Sequence, residues 1–261
     1  MELPVIYTQP LNFLKLLSHH LRWQILHLLA FSDLRVQEMV ASLELPQNVV
    51  SYHLQRLRSY DLVIERRSQA DARGVYYSLN VGRLRQLFFS SAEALHPALD
   101  KPNEVNPEEN FENIPPLRVL FLCTHNSARS QMAEGLLRAR SRGSIQVFSA
   151  GNEPSRVHPL AIRAMNELGI DISKQNSKSL TEFLGEEFDY VITVCDKARE
   201  TCPFFPGSPK RIHWSLPDPS AVEGDEDVRY QAFRDIALQL DTRIGYLLNA
   251  ITRRLNQDDQ H

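Results

Sequence analysis

Hydrophobic residues recur at helical spacing along the first third of the chain. Apolar positions three or four residues apart in LNFLKLL, LRWQILHLLA and LPQNVVSYHLQRL predict amphipathic helices, with Ser18 capping the second and Pro46 starting the last. A short helix is predicted over residues 36–43. The next segment, DLVIERRSQADARGVYYSL, alternates like two strands around a polar tip that contains Gly74, which is typical of a β-hairpin.

The pattern changes after residue 116. LRVLFLC is a nearly continuous apolar run, typical of a strand that is buried on both faces, and SQMAEGLLRARS returns to helical spacing. Between the two regions, residues 96–116 carry five prolines and five acids with little apolar content. This composition predicts a linker, and therefore two domains, at residues 1–95 and 117–261.

Composition narrows the class of protein. The chain has 261 residues, of which 43% are hydrophobic, which is enough for two domain cores. It shows neither a basic leader followed by an apolar run nor an apolar stretch of roughly 18 residues, so we expect a cytoplasmic protein with no membrane partner. All three cysteines follow residue 120, which favours redox, nucleophilic or metal chemistry over structural disulfides.

Polar and basic side chains of the N-terminal region indicate a DNA-binding surface. Between Pro46 and Arg85 there are seven arginines against three acids, although the net charge of the whole chain is only −3. Charge alone fits a merely solvated surface equally well. The order of helix, turn, polar-faced helix and basic hairpin favours DNA binding. The candidate contacts to bases and phosphates are Gln47, Asn48, Ser51, Tyr52, His53, Arg56, Arg66, Arg67 and Arg73.

These elements resemble the arsenical-resistance repressor (ArsR) family across most of residues 10–95. The resemblance implies a mainly α-helical winged helix-turn-helix domain with a β-hairpin wing, a homodimer, and double-stranded operator DNA as partner. Members that sense metalloids carry cysteines on the helix before the recognition helix, where this chain has Arg35, Gln37 and Val40. We therefore expect no metalloid capture at that position, and we predict no metal site, because the scattered histidines do not replace the missing thiols.

The segment CTHNSARS lies between a predicted strand and a predicted helix. Such a loop points backbone N–H groups and a helix N-terminus at one place, which suits a tetrahedral oxyanion. We expect this field to lower the pKa of the Cys123 thiol. Arg129 can clamp two oxygens of the anion, Ser130 can donate a hydrogen bond to the thiolate, and Asn126 can brace the loop.

CTHNSARS resembles the phosphate loop of the low-molecular-weight tyrosine phosphatase superfamily, and the match extends over about residues 117–255. It implies an α/β doubly wound, four-stranded parallel sheet, with further strands near 145–148, 190–194 and 211–213. It also implies Cys123 as nucleophile, Arg129 as anion ligand and Asp218, in an Asp-Pro pair, as general acid. The residues that would surround the oxyanion are Thr124, His125, Asn126, Ser127 and Ala128.

Two positions depart from the superfamily pattern. His125 stands where many members have glycine, and histidine tolerates a positive φ if the loop requires one there. Ser220 stands where an aromatic residue usually flanks a phosphotyrosine ring, which lowers the expectation of an aromatic substrate. The last helix carries an apolar stripe that we assign to core packing, formed by Phe233, Ile236, Leu240, Ile244, Leu247 and Ile251.

A phosphatase needs one thiol, so the presence of Cys195 and Cys202 calls for another explanation. Their C-x6-C spacing resembles that of the thioredoxin-coupled arsenate reductases, which share the phosphatase fold. The resemblance implies a relay in which Cys123 attacks arsenate, Cys195 attacks Cys123, and Cys202 carries the disulfide to thioredoxin. It implies no bound cofactor, and phosphate or sulfate would occupy the same loop. Two alternatives stay open: a phosphatase whose extra cysteines protect the nucleophile, and a non-catalytic sensor of oxyanions or oxidation.

Overall fold

A computed structural model of the chain describes residues 5–71, 73–96 and 117–258. It divides into two compact units, Met1–Glu109 and Asn110–His261, each of which is described by itself. The predicted linker of residues 96–116 lies outside the described residues except for His96.

The N-terminal unit is a winged helix-turn-helix, as the sequence predicted. Its hairpin pairs two strands in antiparallel register, with Val63 opposite Leu79. In chain order its described elements are α1 (Val5–Leu17), α2 (His20–Leu28), α3 (Val36–Leu43), α4 (Gln47–Arg58), β1 (Val63–Arg67), β2 (Val75–Leu79) and α5 (Val81–Leu95).

The helical stripes of this unit form its core. Phe13, Ile25, Met39 and Leu57 are each at most 1% exposed, so α1 to α4 pack on one another through their apolar faces. This packing, more than helix propensity, holds such short helices.

The predicted cap of α2 is wrong. The hydroxyl of Ser18 donates a hydrogen bond to the carbonyl of Lys15, at the end of α1. His19 caps α2 instead, because its Nδ1 accepts a hydrogen bond from the backbone N–H of Leu21 at 3.2 Å. An imidazole nitrogen thus satisfies an N–H group that the helix leaves free.

The C-terminal unit is an α/β fold around a four-stranded parallel sheet of order β4-β3-β5-β6, which confirms the predicted fold class. Two short 3-10 turns, Leu180–Phe183 and Pro219–Ala221, lie between its elements. Its helices and strands are β3 (Arg118–Cys123), α6 (Arg129–Arg140), β4 (Gln146–Gly151), α7 (Pro159–Glu167), β5 (Tyr190–Thr193), α8 (Asp196–Glu200), β6 (Lys210–His213) and α9 (Glu226–Asp258).

The position of β3 in the sheet decides where the site lies. β3 is flanked by β4 and β5, and every residue from Val119 to Cys123 is buried, as expected for a strand covered on both faces. The apolar stripe of α9 is buried in the same core, which confirms its predicted packing role. Because the carboxyl ends of parallel strands meet at one edge of the sheet, the residues after β3, β5 and β6 converge there.

Within the described parts of the chain, no helix combines the length and the apolar character that crossing a bilayer requires.

Candidate active site

The loop from Cys123 to Ala128 joins β3 to α6 and lies against the end of β4. Gly151, the last residue of β4, pairs with Cys123 in the sheet. A Cβ atom at Gly151 would lie 2.6 Å from the carbonyl oxygen of Thr124 and 2.7 Å from the nitrogen of Asn126. Only glycine lets the loop pass this close to the strand.

The carbonyl groups of this loop are bonded to segments outside it. The carbonyls of Thr124, His125 and Ser127 accept backbone N–H groups at 2.8 to 3.1 Å, and the carbonyl of Asn126 accepts a side-chain hydroxyl at 2.6 Å. Carbonyls held outwards leave the loop N–H groups free to face its centre, where an oxyanion would bind. The four donors are Glu153, Ser155, His158 and Ser177.

Asn126 braces the loop in the way expected of an asparagine at this position. Its φ of 46° is left-handed, so the positive φ of the loop lies here and not at His125. Its side-chain amide donates to the hydroxyls of Ser130 and Ser149 at 2.9 and 2.8 Å. Its side-chain oxygen accepts from Gln131 Nε2 and from the backbone N–H of Lys178. This buried side chain therefore links the loop to α6, β4 and the segment before β5.

The Cys123 thiol is only 3% exposed and lies at the centre of these donors. Its sulfur is 2.9 Å from Ser130 Oγ and accepts the backbone N–H of Asn126 at 3.1 Å. Burial nevertheless raises the pKa of Cys123, and the nearby Cys195 acts in the same direction, against the lowering by Arg129, Ser130 and Asn126. The predicted lowering of this pKa is wrong for the structure described, because desolvation outweighs the hydrogen bonds.

Arg129 and Asp218 lie together beside the loop. Arg129 donates to Asp218 Oδ2 at 2.9 Å and to the carbonyl of Leu216 at 3.0 Å. Asp218 also accepts the backbone N–H of Ser220 at 3.0 Å. A guanidinium has five N–H groups, so these two contacts do not exhaust the donors of Arg129. The predicted anion ligand and the predicted acid are thus in direct contact.

Cys195 and Cys202 are at the two ends of α8, and all three cysteines are free thiols. The Cys195 sulfur is buried, lies 3.4 Å from Thr124 Oγ1, and caps α8 by accepting the backbone N–H of Ala198 at 3.4 Å. Cys202 is half-buried, and burial raises its pKa while Arg211 acts to lower it. Cys195 therefore lies against the loop through Thr124, and Cys202, beyond the other end of α8, is the least buried of the three thiols.

Sequence reasoning missed a buried polar group beneath the loop. Glu134 of α6 is 4% exposed, accepts the hydroxyl of Ser149, and pairs with Lys178 at 3.2 Å. Arg138 pairs with its other oxygen. The contributing residues come from α6, β4 and the segment before β5, and nothing in their local sequence distinguishes them from surface residues. Two cations and a hydroxyl thus satisfy one buried carboxylate below the loop, and Ser149 and Lys178 connect it to Asn126.

Most candidate DNA contacts of the N-terminal unit are exposed. On α4 these are Gln47, Asn48, Ser51, Tyr52 and Arg56; on the wing, Arg67 and Arg73 are exposed and Arg66 is half-buried.

His53 is a correction to the predicted DNA-facing set. It is only 6% exposed, and its ring packs against that of His19 with centroids 4.4 Å apart. It lies on the inner side of α4, between buried Val50 and Leu54, and so does not share the polar face.

Among the described residues, no group of three or more His, Cys, Asp or Glu side chains is arranged to hold a metal ion.

Comparisons with known proteins match the two units separately. The profile of the bacterial regulatory protein arsR family matches residues 19–65, and that of the low molecular weight phosphotyrosine protein phosphatase family matches residues 118–259. "Arsenate reductase" of Halalkalibacterium halodurans is 40% identical over 48% of this chain and 91% of its own length. "Arsenate reductase" of Shouchella clausii is 41% identical, with the same coverage.

A solved structure described as an arsenate reductase in the phosphate binding state is 36% identical over 52% of this chain and 98% of its own, with a TM-score of 0.43. The phosphatase-family profile covers more than half of the 261 residues. The chain therefore belongs to the low molecular weight phosphotyrosine protein phosphatase family and carries an arsR-family winged helix at its N-terminal end.

Proposed function

We propose that the C-terminal unit reduces arsenate to arsenite through Cys123, Cys195 and Cys202, with thioredoxin as the electron donor. The observation that carries this proposal is the order of the thiols: one in an oxyanion loop, one buried beside it, and one half-buried at the far end of α8. Relatives that are about two-fifths identical to this unit and bear the name arsenate reductase support the choice of substrate.

The first step forms a bond between sulfur and arsenic. Arsenate binds the N–H groups of the loop and the free N–H groups of Arg129, in place of part of the contact with Asp218. The Cys123 thiolate attacks arsenic, and Asp218, once protonated, gives its proton to the departing oxygen, which leaves as water. The attack requires the thiolate, and burial raises the pKa of Cys123. The thiol proton therefore passes first to the arsenate dianion, which becomes the monoanion as it binds.

The second step is the redox step. The Cys195 thiolate attacks the Cys123 sulfur, so that an S–S bond forms and the S–As bond breaks. The bonding pair stays on arsenic, which passes from As(V) to As(III) and leaves as arsenite. The two thiols are oxidised to one disulfide. Thr124 places its hydroxyl against the Cys195 sulfur, on the side of the loop.

The third step moves the disulfide. Cys202 attacks Cys195, the Cys123 thiolate leaves, and a Cys195–Cys202 disulfide remains for a dithiol reductant. Cys202 suits this role because it is the least buried of the three thiols and lies two positions before Phe204, which is 80% exposed.

A phosphatase is the second candidate, since Cys123, Arg129 and Asp218 also suffice for phosphomonoester hydrolysis and the family profile bears that name. The serine at position 220 places no aromatic side chain beside the acid. Phosphate cannot accept the electrons of the second step, so hydrolysis would leave Cys195 and Cys202 unused.

For the N-terminal unit we propose binding to double-stranded operator DNA as a homodimer, with α4 as recognition helix and the wing on phosphates. The exposed polar face of α4 and the exposed wing arginines support this. The proposal of DNA binding is independent of the catalytic proposal, because the candidate DNA contacts lie in the N-terminal unit.

The test is oxidation of NADPH through thioredoxin reductase and thioredoxin on addition of arsenate, for the wild type and for Cys202→Ser. We expect arsenate-dependent oxidation in the wild type and its loss in the variant, which can form the first disulfide but cannot pass it on. Replacing thioredoxin with glutaredoxin and glutathione identifies the reductant.

Hydrolysis of an aryl phosphate is measured in parallel. If arsenate causes no NADPH oxidation, and wild type and variant hydrolyse the aryl phosphate equally, the enzyme is a phosphatase. If the protein turns over neither arsenate nor the aryl phosphate, and its affinity for DNA changes on oxidation, it is a sensor.

A further inference from the structure

A buried carboxylate and a buried imidazole lie directly behind Cys195, and the relay does not use them. Asp196 is the first residue of α8 and His213 is the last residue of β6; they are 2% and 3% exposed. His213 Nε2 lies 3.2 Å from Asp196 Oδ1, and Ser215 donates its hydroxyl to the same oxygen at 2.7 Å. The other ring nitrogen of His213 lies 2.9 Å from Thr193 Oγ1.

This cluster joins the two segments that act on Cys123 from outside the loop. On one side, Asp196 follows the attacking thiol of Cys195 in the chain. On the other, Ser215 precedes Leu216, whose carbonyl holds Arg129, and lies three residues before Asp218. One carboxylate oxygen therefore fixes both the start of α8 and the segment that carries the acid.

The cluster of Asp196, His213 and Ser215 is expected to add little to the stability of the fold. A buried charge loses its hydration, and a buried ion pair returns that cost only when its hydrogen bonds are complete, so the net stabilisation is small. Positioning of the catalytic groups is a better explanation for the cluster, because a catalytic group displaced by about 1 Å can lose roughly 100-fold in rate.

We propose that Asp196, held by His213 and Ser215, is a positioning residue that keeps Cys195 and Asp218 aligned on Cys123. The inference rests on the proposed function. It predicts a larger effect on chemistry than on binding. Asn126 and its neighbours supply bonds that hold the oxyanion loop, whereas Asp196 is connected to Arg129 through Ser215 and Leu216. Loss of Asp196 should lower kcat far more than it weakens phosphate binding.

The experiment compares the full-length wild type with Asp196→Ala, Asp196→Asn and the control Asp241→Ala, which removes a partly exposed ion pair with Arg140. Phosphate affinity is measured by calorimetry, and the arsenate-dependent loss of two thiols is followed in a single turnover without reductant. We expect Asp196→Ala to lose thiols roughly 10- to 100-fold more slowly, with phosphate affinity within about twofold of the wild type.

The asparagine variant tests the hydrogen-bond account. Its amide oxygen can still accept from His213 and Ser215, so we expect a rate within about threefold of the wild type. The Asp241→Ala control should match the wild type in both measurements.

Three results would overturn the inference. These are a wild-type rate in Asp196→Ala, a parallel loss of rate and phosphate affinity, or an asparagine variant as slow as the alanine variant. If Asp196→Ala does not fold, Ser215→Ala decides, since it removes one bond and should slow thiol loss about threefold or more at unchanged phosphate affinity. A wild type that keeps its thiols in the presence of arsenate refutes the proposed function itself, whereas an active wild type with equal variants refutes only this inference.

Discussion

At the scale of single residues, the Cys123 sulfur is subject to two opposed influences. Removal from water favours the neutral thiol, while the Ser130 hydroxyl and the Asn126 N–H favour the thiolate. Burial prevails, so the pKa of Cys123 lies above its usual value. Reactivity at neutral pH therefore depends on each hydrogen bond that the loop supplies.

The pH dependence of alkylation by iodoacetamide measures the pKa of Cys123. Only the thiolate reacts, so a raised pKa means that the rate keeps rising with pH beyond the range of an ordinary thiol. In a Cys195→Ser, Cys202→Ser background, where Cys123 is the only thiol, we expect Ser130→Ala to raise the pKa further and to slow alkylation at pH 7 about tenfold.

Ser220→Ala is the matched control, because the Ser220 backbone N–H, and not its hydroxyl, binds Asp218. It should leave the alkylation profile unchanged. An identical profile for Ser130→Ala would show that the hydroxyl does not stabilise the thiolate.

At the scale of secondary-structure elements, the close approach of β4 to the loop sets the shape of the site. A methyl group at position 151 would overlap the backbone at Thr124 and Asn126, so the loop would have to move. We expect Gly151→Ala to cost about 1–3 kcal/mol of stability and to lower arsenate turnover roughly 100-fold. Thermal unfolding and steady-state kinetics measure the two effects.

Gly245→Ala is the control for this substitution. Gly245 lies within α9, and a Cβ there meets no atom within 4 Å. Alanine should stabilise the helix by about 0.5–1 kcal/mol and leave turnover unchanged. Equal turnover in both variants would refute the role assigned to the β4 contact.

The short helix α8 must open during the proposed relay. Cys202 lies seven positions after Cys195, with α8 between them. Seven positions of helix span about 10 Å, whereas a disulfide needs Cα atoms within about 7 Å. The Cys195 sulfur also caps the helix, so its oxidation weakens the helix start. We therefore expect the amides of Ala198 to Thr201 to exchange faster in the Cys195–Cys202 disulfide form than in the reduced form.

Hydrogen exchange followed by mass spectrometry checks this expectation, and α7 serves as the internal reference that should not change. Equal protection of α8 in both forms would refute the expected opening of this helix.

The sequence predicted elements better than it predicted their contacts. The apolar run of β3, the stripe of α9 and the polar loop carry local patterns, and the structure agrees with them. The contacts of Ser149 and Lys178 with Asn126 and with Glu134 could not be found, because only the order of the strands brings these residues together. His53 was misplaced because periodicity distinguishes apolar from polar positions, and a histidine fits both.

At the scale of the whole molecule, the candidate catalytic residues and the candidate DNA contacts lie in different units. All three thiols lie in the C-terminal unit, and the exposed polar face of α4 lies in the N-terminal unit. If the proposed chemistry at Cys123 alters DNA binding, the signal passes from the C-terminal unit to the N-terminal unit. Operator affinity that is equal for reduced, oxidised and arsenite-treated protein would exclude such coupling.

The wing arginines allow a direct test of DNA contact. Arg67→Ala and Arg73→Ala each remove an exposed charge, so we expect weaker binding to a mixed-sequence duplex and a log–log salt slope that is smaller by about one. The control Arg142→Ala removes an exposed arginine of the C-terminal unit and should leave the slope unchanged. Equal slopes for all three variants would mean that the wing does not touch phosphate.

The covalent union of the two units also fixes their numbers. Every catalytic unit that a cell translates arrives with one winged helix, so the amounts of the two units rise and fall together. If both proposed functions hold, each added enzyme molecule also adds one DNA-binding unit. A single rate of translation then sets both the catalytic capacity and the concentration of DNA-binding units.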